Sequence, residues 1–159
     1  MDLRLLYSIF LTLMPVTELR AGLPLAIIYA VDKNIPIFLI FSLIVSANIA
    51  VIFFIFYFLD NIHHLLMKAD FYKKNFEKII SRYRKKAEKF EIKYEEAGFL
   101  ALLIFVAVPL PGTGVWTASI ISWLLNLDRK KSILAISAGV FIAGIIVLLG
   151  TLGFISLFS

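Results

Sequence analysis

Apolar residues run along this chain in long blocks, and the polar interruptions between the blocks mark out its elements. Leu3–Met14 is an apolar block of 12 residues, about 18 Å as a helix and too short for a hydrocarbon core of about 30 Å. The stretch P-V-T-E-L-R-A-G-L-P at 15–24 follows, then Leu25–Val31, then Asp32-Lys33-Asn34. Residues 3–31 therefore read either as one long kinked helix or as two short arms joined at a polar tip. Ile35–Leu59 is 25 residues without a charge. Pro36 suits a first helical turn, and the block predicts a spanning helix. Ser42, Ser46, Ala47, Asn48 and Ala50 inside it permit close helix packing.

The second half repeats the pattern. Ala97–Val108 is a short apolar arm, interrupted by F-V-A-V-P-L-P-G-T-G-V-W-T-A-S at 105–119. Pro109 and Pro111 each remove a backbone donor and disfavour a helical conformation at the residue before, so the arm is expected to stop near Val108. Val115–Leu127 is its partner arm, and Asp128-Arg129-Lys130-Lys131 is a charged turn. Ser132 reads as the N-cap of a last span over residues 133–154. In that span Gly139 and Ala143 give a small-residue face, with Gly150 and Gly153 beyond.

Residues 3–59 and 97–154 thus share one order: short arm, proline-bearing break, short arm, charged turn, long span. Residue identity between them is slight, so the repeat is one of hydropathy. If each broken element (residues 3–31 and 97–127) is a re-entrant hairpin, each half crosses the membrane once and the halves run in opposite directions. That is the inverted-repeat plan of transporters, whose broken segments meet near mid-membrane. The fold expected is all-α and integral to the membrane: two units, each a hairpin followed by a transmembrane helix (35–59 and 133–154). A helix over 60–96 joins them. Four full crossings in place of the hairpins would keep the same sides. A chain this short is also expected to cover its breaks as a homodimer.

Composition agrees with the blocks. Apolar residues make up 61% and charged residues 17% of 159; soluble domains carry about a quarter charged residues. The segment 60–96 holds 10 of the 16 basic residues and 7 of the 11 acids. Phe76, Ile79, Ile80, Tyr83, Ala87, Phe90 and Tyr94 recur there at helical spacing, which predicts an amphipathic helix on the membrane surface or a charged connector packed on the spans. The net charge of +5 sits beside apolar spans and alternates in sign, so it points to topology and anionic phospholipid, not to nucleic acid. The linker and the 129–131 turn hold 13 of the 16 basic residues. They are therefore placed in the cytoplasm, with both chain ends outside the plasma membrane. With no cysteine, disulfides and thiolate metal sites are excluded. His63 and His64 lack a third ligand, no P-loop follows Gly112, and no serine sits in a nucleophile elbow. No enzyme, metal or cofactor is expected.

Glu18 and Arg20 are the polar anomaly, since ionisable groups in apolar surroundings suggest function. Glu18 could bind a proton or sodium ion, and Arg20 a phosphate or carboxylate. Equally, the two could form a structural salt bridge that holds the hairpin. Pro15, Gly22 and Pro24 are read as backbone of the first tip; Pro109, Pro111, Gly112 and Gly114 as backbone of the second. An arm starting near Thr113 would offer free amides to an anion. Thr113 and Thr117 are one turn apart and could face one cavity, or their hydroxyls could satisfy carbonyls. Of Trp116 and Trp123, one is expected to line the cavity and the other to anchor at the interface.

The two motifs together, residues 15–26 and 105–119, resemble the prokaryotic small multidrug export protein family, a distant branch of the DedA/VTT membrane-protein superfamily. The resemblance covers nearly the whole chain. It implies paired re-entrant hairpins in inverted repeats, with Glu18, Arg20 and Pro24 on one tip. Pro109, Pro111, Gly112, Gly114 and Trp116 fall on the other. Relatives in the wider superfamily are linked to lipid scrambling or to flipping phosphate-bearing lipid carriers, coupled to ion gradients. DedA-type proteins carry arginines in the second hairpin; none occurs here between Gly98 and Asn126, which favours a smaller or less charged substrate. Two functions follow as expectations. One is a transporter or flippase that moves a small-molecule or lipid-linked substrate between the hairpins. The other is a non-transporting membrane-organising protein whose basic linker binds lipid or a partner.

Overall fold

The computed structural model describes residues 2–62, 81, 95–110 and 112–158. Among them are six α-helices: α1 Leu3–Leu13, α2 Glu18–Asp32, α3 Ile37–Tyr57, α4 Glu95–Ala107, α5 Val115–Leu124 and α6 Arg129–Phe158. A π-helical turn, Phe58–Ile62, extends α3. The fold is all-α, as the blocks predict. Most of the 60–96 linker (residues 63–80 and 82–94), with His63 and His64, and Pro111 lie outside the described residues.

Residues 3–31 form two helices, not one kinked helix. The chain leaves helical geometry only over Met14–Thr17, where Pro15 forbids a backbone donor. Gly22 and Pro24, expected at the turn, instead lie inside α2. Gly22 serves the packing of α2 on α1: a Cβ there would stand 1.9 Å from Thr12 Oγ1 and 2.6 Å from the Ser8 carbonyl. Gly139 does the same for α6 on α4, where a Cβ would meet Val106 Cβ at 2.7 Å and the Leu103 carbonyl at 2.8 Å.

Both second arms end in the same cap. Asn34 and Asn126 are left-handed, with φ 53° and 51°, a conformation asparagine tolerates better than most side chains. The next amides, Ile35 and Leu127, bond the carbonyls of Ala30 and Ser122 at 2.9 and 3.1 Å. The matching turns are thus the two asparagines, not the charged clusters Asp32-Lys33 and Asp128–Lys131. The cap of α6 also differs from expectation. Asp128, not Ser132, accepts the free amide of Lys131 at 2.8 Å, so the helix begins four residues earlier. Ser132 is buried, donates to the Asp128 carbonyl, and its hydroxyl lies 2.6 Å from that of Ser122.

Packing across the two halves is reciprocal: α3 lies on α5, α6 lies on α2, and α3 meets α6. Within the halves it is not, since α1 leans mainly on α2 while α4 leans mainly on α6. Among the described residues, two ion pairs sit on the exposed ends. Arg4 joins Asp32 at 3.3 Å. Arg129 grips Asp60 with both terminal guanidinium nitrogens and lies 4.5 Å over the ring of Phe56. Ile27, Ile44, Ile52, Leu102, Ile121 and Ile136 fill the interior. Outside it, large apolar side chains stand uncovered, with Phe38 75%, Ile104 58% and Leu149 64% exposed. Two helices, Ile37–Asn61 and Arg129–Leu157, have the length and composition of membrane spans, at about 1.5 Å per residue against a core of about 30 Å. The chain is a multi-pass helical membrane protein.

Candidate functional site

The two breaks in the chain come together. Glu18 opens α2 with φ 47°, a left-handed conformation that costs a non-glycine residue of order 1–3 kcal/mol. It turns Glu18 out of the helical path, and the side chain reaches across to the first turn of α5. There Oε1 accepts the backbone N–H of Trp116 at 3.3 Å. A carboxylate at a helix N-terminus meets unsatisfied amides and the positive end of the helix dipole. Gly114 makes room for it, since a Cβ at that position would fall 1.3 Å from Oε2. The amides expected to be free for an outside anion are therefore met by the chain's own carboxylate, and α5 starts at Val115, not Thr113.

Arg20 takes a separate partner. Its Nη2 donates to Thr113 Oγ1 at 2.9 Å, and among the described residues no ion pair joins it to Glu18. Thr113 organises the second break. Its hydroxyl lies 2.7 Å from the carbonyls of Val108 and Leu110 and accepts the Leu110 amide at 3.2 Å. Gly112, with φ 80°, supplies the left-handed turn beside it. The two charged side chains thus grip the two ends of the second break, Arg20 before α5 and Glu18 on its first turn.

The end of α1 carries the other half of the geometry. A helix leaves its last carbonyls without intrahelical partners, and in hydrocarbon each such group is costly. Here three consecutive carbonyls are met by side chains from the first break, α3 and α5, the Leu11 carbonyl also accepting the Met14 amide. Thr17 Oγ1 donates to Leu11 at 2.6 Å, Asn48 Nδ2 of α3 to Thr12 at 3.0 Å, and Trp116 Nε1 of α5 to Leu13 at 3.2 Å. Trp116 also stands edge-on to Phe54, ring centres 6.4 Å apart, and both Trp116 and Trp123 are half-buried. Asn48, 2% exposed, is the buried polar contact that the hydropathy pattern hides. Its one signal is an amide in the middle of an uncharged span. Pro15 is exposed, Pro109 half-buried, and Thr117 buried on α5.

Glu18, Arg20, Asn48 and Gly114, with Val106, Val140 and Ala143, enclose about 10 Å³. That is room for about one water, so among the described residues the two breaks pack closely on each other at this point. Among the described residues no cluster of three metal-ligating side chains forms.

These features define a helical membrane protein in which short, interrupted helices from both halves meet at a buried polar junction. Within that class, the chain belongs to the family described as "Putative small multi-drug export protein", whose model matches residues 18–146. It is thereby a distant member of the DedA/VTT superfamily. The match begins at Glu18 and ends inside α6. Membership and the two apolar spans support a general membrane transport or scramblase role of the DedA type. No curated protein and no solved structure matches the chain.

Proposed function

We propose that the protein is a secondary transporter with two re-entrant hairpins, α1–α2 and α4–α5, in inverted halves, and that Glu18 controls access between them. The helix lengths support the hairpins: α1 and α5, 11 and 10 residues, reach only about 15–17 Å. So do the three capped carbonyls of α1, the provision a helix needs to end inside hydrocarbon. Reciprocal packing and the matched asparagine caps support the inverted repeat, and the basic residues of the 129–131 turn support a cytoplasmic side for the start of α6. The observation that carries the reading is Glu18 seated on the first turn of α5 in the space Gly114 leaves. A tethered carboxylate in an anion-binding position is displaceable, and neutralising it removes its hold on α5. Because Arg20 and the positive end of α5 face this group, a proton fits it better than a sodium ion. The substrate is a small or lipid-linked amphipathic molecule, no covalent chemistry is assigned, and the working unit is a homodimer.

A static joint is the competing reading, favoured by the closed volume at the junction; the basic linker would then act on lipid or a partner. Proton movement separates the two. Protein in liposomes with a trapped pH-sensitive dye is exposed to a panel of amphipathic cations and anions. At least one compound is expected to drive proton flux, lost in Glu18→Gln at unchanged folding. No flux with any compound, or flux unaffected by Glu18→Gln, sinks the transport reading.

A further inference from the structure

α3 and α6 are pinned at one end by Asp60 and Arg129 and part toward the other. The opening is a groove of about 620 Å³ whose lining includes Phe38, Phe41, Ser42, Ser46, Phe141 and Ile145. Its size lies in the range of drug-sized ligand sites, about 300–1,000 Å³, and so does its character: aromatic walls with a few polar groups. No charged residue lines it.

Two observations single it out from the other uncovered apolar faces. Ser42 and Ser46 are one turn apart, and among the described residues neither hydroxyl has a partner. Ser8, Thr12 and Thr151, by contrast, each donate to the carbonyl four residues earlier. A lone hydroxyl facing hydrocarbon is unfavourable without a partner. Second, the groove and the polar junction share one seam. On α3, Val45 lines the groove and Asn48 the junction; on α6, Phe141 lines the groove while Val140 and Ala143 line the junction. Phe41 and Phe141 meet edge-on at 5.9 Å, and Gly144 lets Phe41 and Val45 close in, its Cβ position being 3.1 and 3.2 Å from them.

We propose that this groove is a membrane-side binding site for an uncharged aromatic molecule carrying a hydrogen-bonding group, drawn from the lipid phase. Rings stack among Phe38, Phe41 and Phe141, and the polar group meets Ser42 and Ser46. A phospholipid chain fits less well, since it offers nothing to the hydroxyls. The site deepens the transport reading and rests on it for the step from groove to junction, but binding itself does not depend on Glu18.

The test uses the full chain in nanodiscs with 4-hydroxybenzophenone as photoreactive probe and 4-phenylphenol as competitor. Competable labelling is expected at Phe38, Phe41, Phe141 and Ile145, reduced several-fold in Ser42→Ala/Ser46→Ala and abolished in Ser46→Trp. Ser42→Cys/Ser46→Ala serves as a second variant should tryptophan disturb folding, with a thiol-reactive blocker expected to abolish competable labelling. Glu18→Gln is expected to label like the parent. Labelling that is not competable and covers Phe53, Leu100 and Ile104 as strongly would overturn the site. So would disulfide cross-linking of Ser46→Cys to a second copy, which makes the groove a subunit interface. Loss of proton flux with competable labelling intact is a failure of the transport reading alone; flux without competable labelling is a failure of the groove alone.

Discussion

The carboxylate of Glu18 occupies the volume that a side chain at Gly114 would need: a Cβ built there lies 1.3 Å from Oε2 and 2.1 Å from the carboxyl carbon. One residue opens the second arm of the first half and the other caps the second arm of the second half. Each explains the other. A left-handed glutamate would be wasted strain if α5 did not receive it, and Gly114 is extended (φ −107°, ψ −163°), so its missing side chain is explained by space and not by backbone.

Gly114→Ala is therefore expected to expel the Glu18 side chain. Overpacking and the lost contact together cost about 1–3 kcal/mol, read as a lower midpoint in thermal unfolding in mild detergent. In a Glu18→Ala background the same change is expected to cost far less, and a double-mutant cycle measures the difference. Equal costs in both backgrounds would mean that the two residues are not coupled.

Asn48→Leu keeps the branched outline, with somewhat more bulk, and removes the donor to the Thr12 carbonyl. A buried carbonyl left without a partner costs about 1–3 kcal/mol, with membrane cycles nearer the lower end. Trp116→Phe removes the donor to Leu13 in the same way while keeping a ring against Phe54. Both variants are expected to unfold earlier than the parent, whereas Leu43→Ala on the exposed face of α3 is expected to change little.

The blocks of apolar residues were enough to place both long spans and the two breaks, because span length and proline chemistry are local, but they left residues 3–31 open between one kinked helix and two arms. Glu18, Arg20 and Thr113 were legible as polar groups at breaks. Their pairing was not: Arg20 and Thr113 are 93 residues apart, and a repeat of hydropathy that brings two breaks together does not say which side chain meets which. Gly22 was misplaced for a similar reason. A glycine between two prolines looks like a turn, and only the position of Thr12 on a neighbouring helix shows that it serves close packing. Asn34 and Asn126 went unmatched because the adjacent charges were the louder signal.

Gly22→Ala separates the two roles. In an exposed helix the change would stabilise by up to about 1 kcal/mol through helix propensity. Here the Ser8 backbone carbonyl stands 2.6 Å from the new Cβ and cannot swing away, so α1 must move off α2. A net loss of about 1–3 kcal/mol is expected. A rise in the unfolding midpoint would contradict the close approach.

Arg129 ties the start of α6 to the end of α3 through a two-pronged contact with Asp60 and the face of Phe56. Both partners are partly exposed, with 45% and 34% of their side chains accessible, so the pair contributes only about 0–1 kcal/mol to stability. Its larger effect is expected on motion between the halves. Arg129→Ala should widen the distance between spin labels placed on the α3 and α6 ends, and the exchange Asp60→Arg/Arg129→Asp should restore it. An unchanged distance in Arg129→Ala would show that the pair does not hold the ends together.

The hairpins themselves are tested by accessibility in intact membranes, since the chain has no cysteine of its own. Lys33→Cys lies past the end of α2 and Lys130→Cys on the first turn of α6, and they are expected to label from outside and inside respectively. Val16→Cys and Leu110→Cys sit in the two breaks, 84% and 56% exposed on the protein surface. In a re-entrant arrangement both lie at membrane depth, where a charged thiol reagent arrives slowly from either side. A fully crossing pair of helices would instead deliver Val16 to the cytoplasm or Leu110 to the exterior. Rapid labelling of Val16→Cys from the side of Lys130, or of Leu110→Cys from the side of Lys33, would make that pair a true double crossing. It would also place the Glu18–Trp116 contact outside the hydrocarbon, where a capped helix end has no need of three side chains.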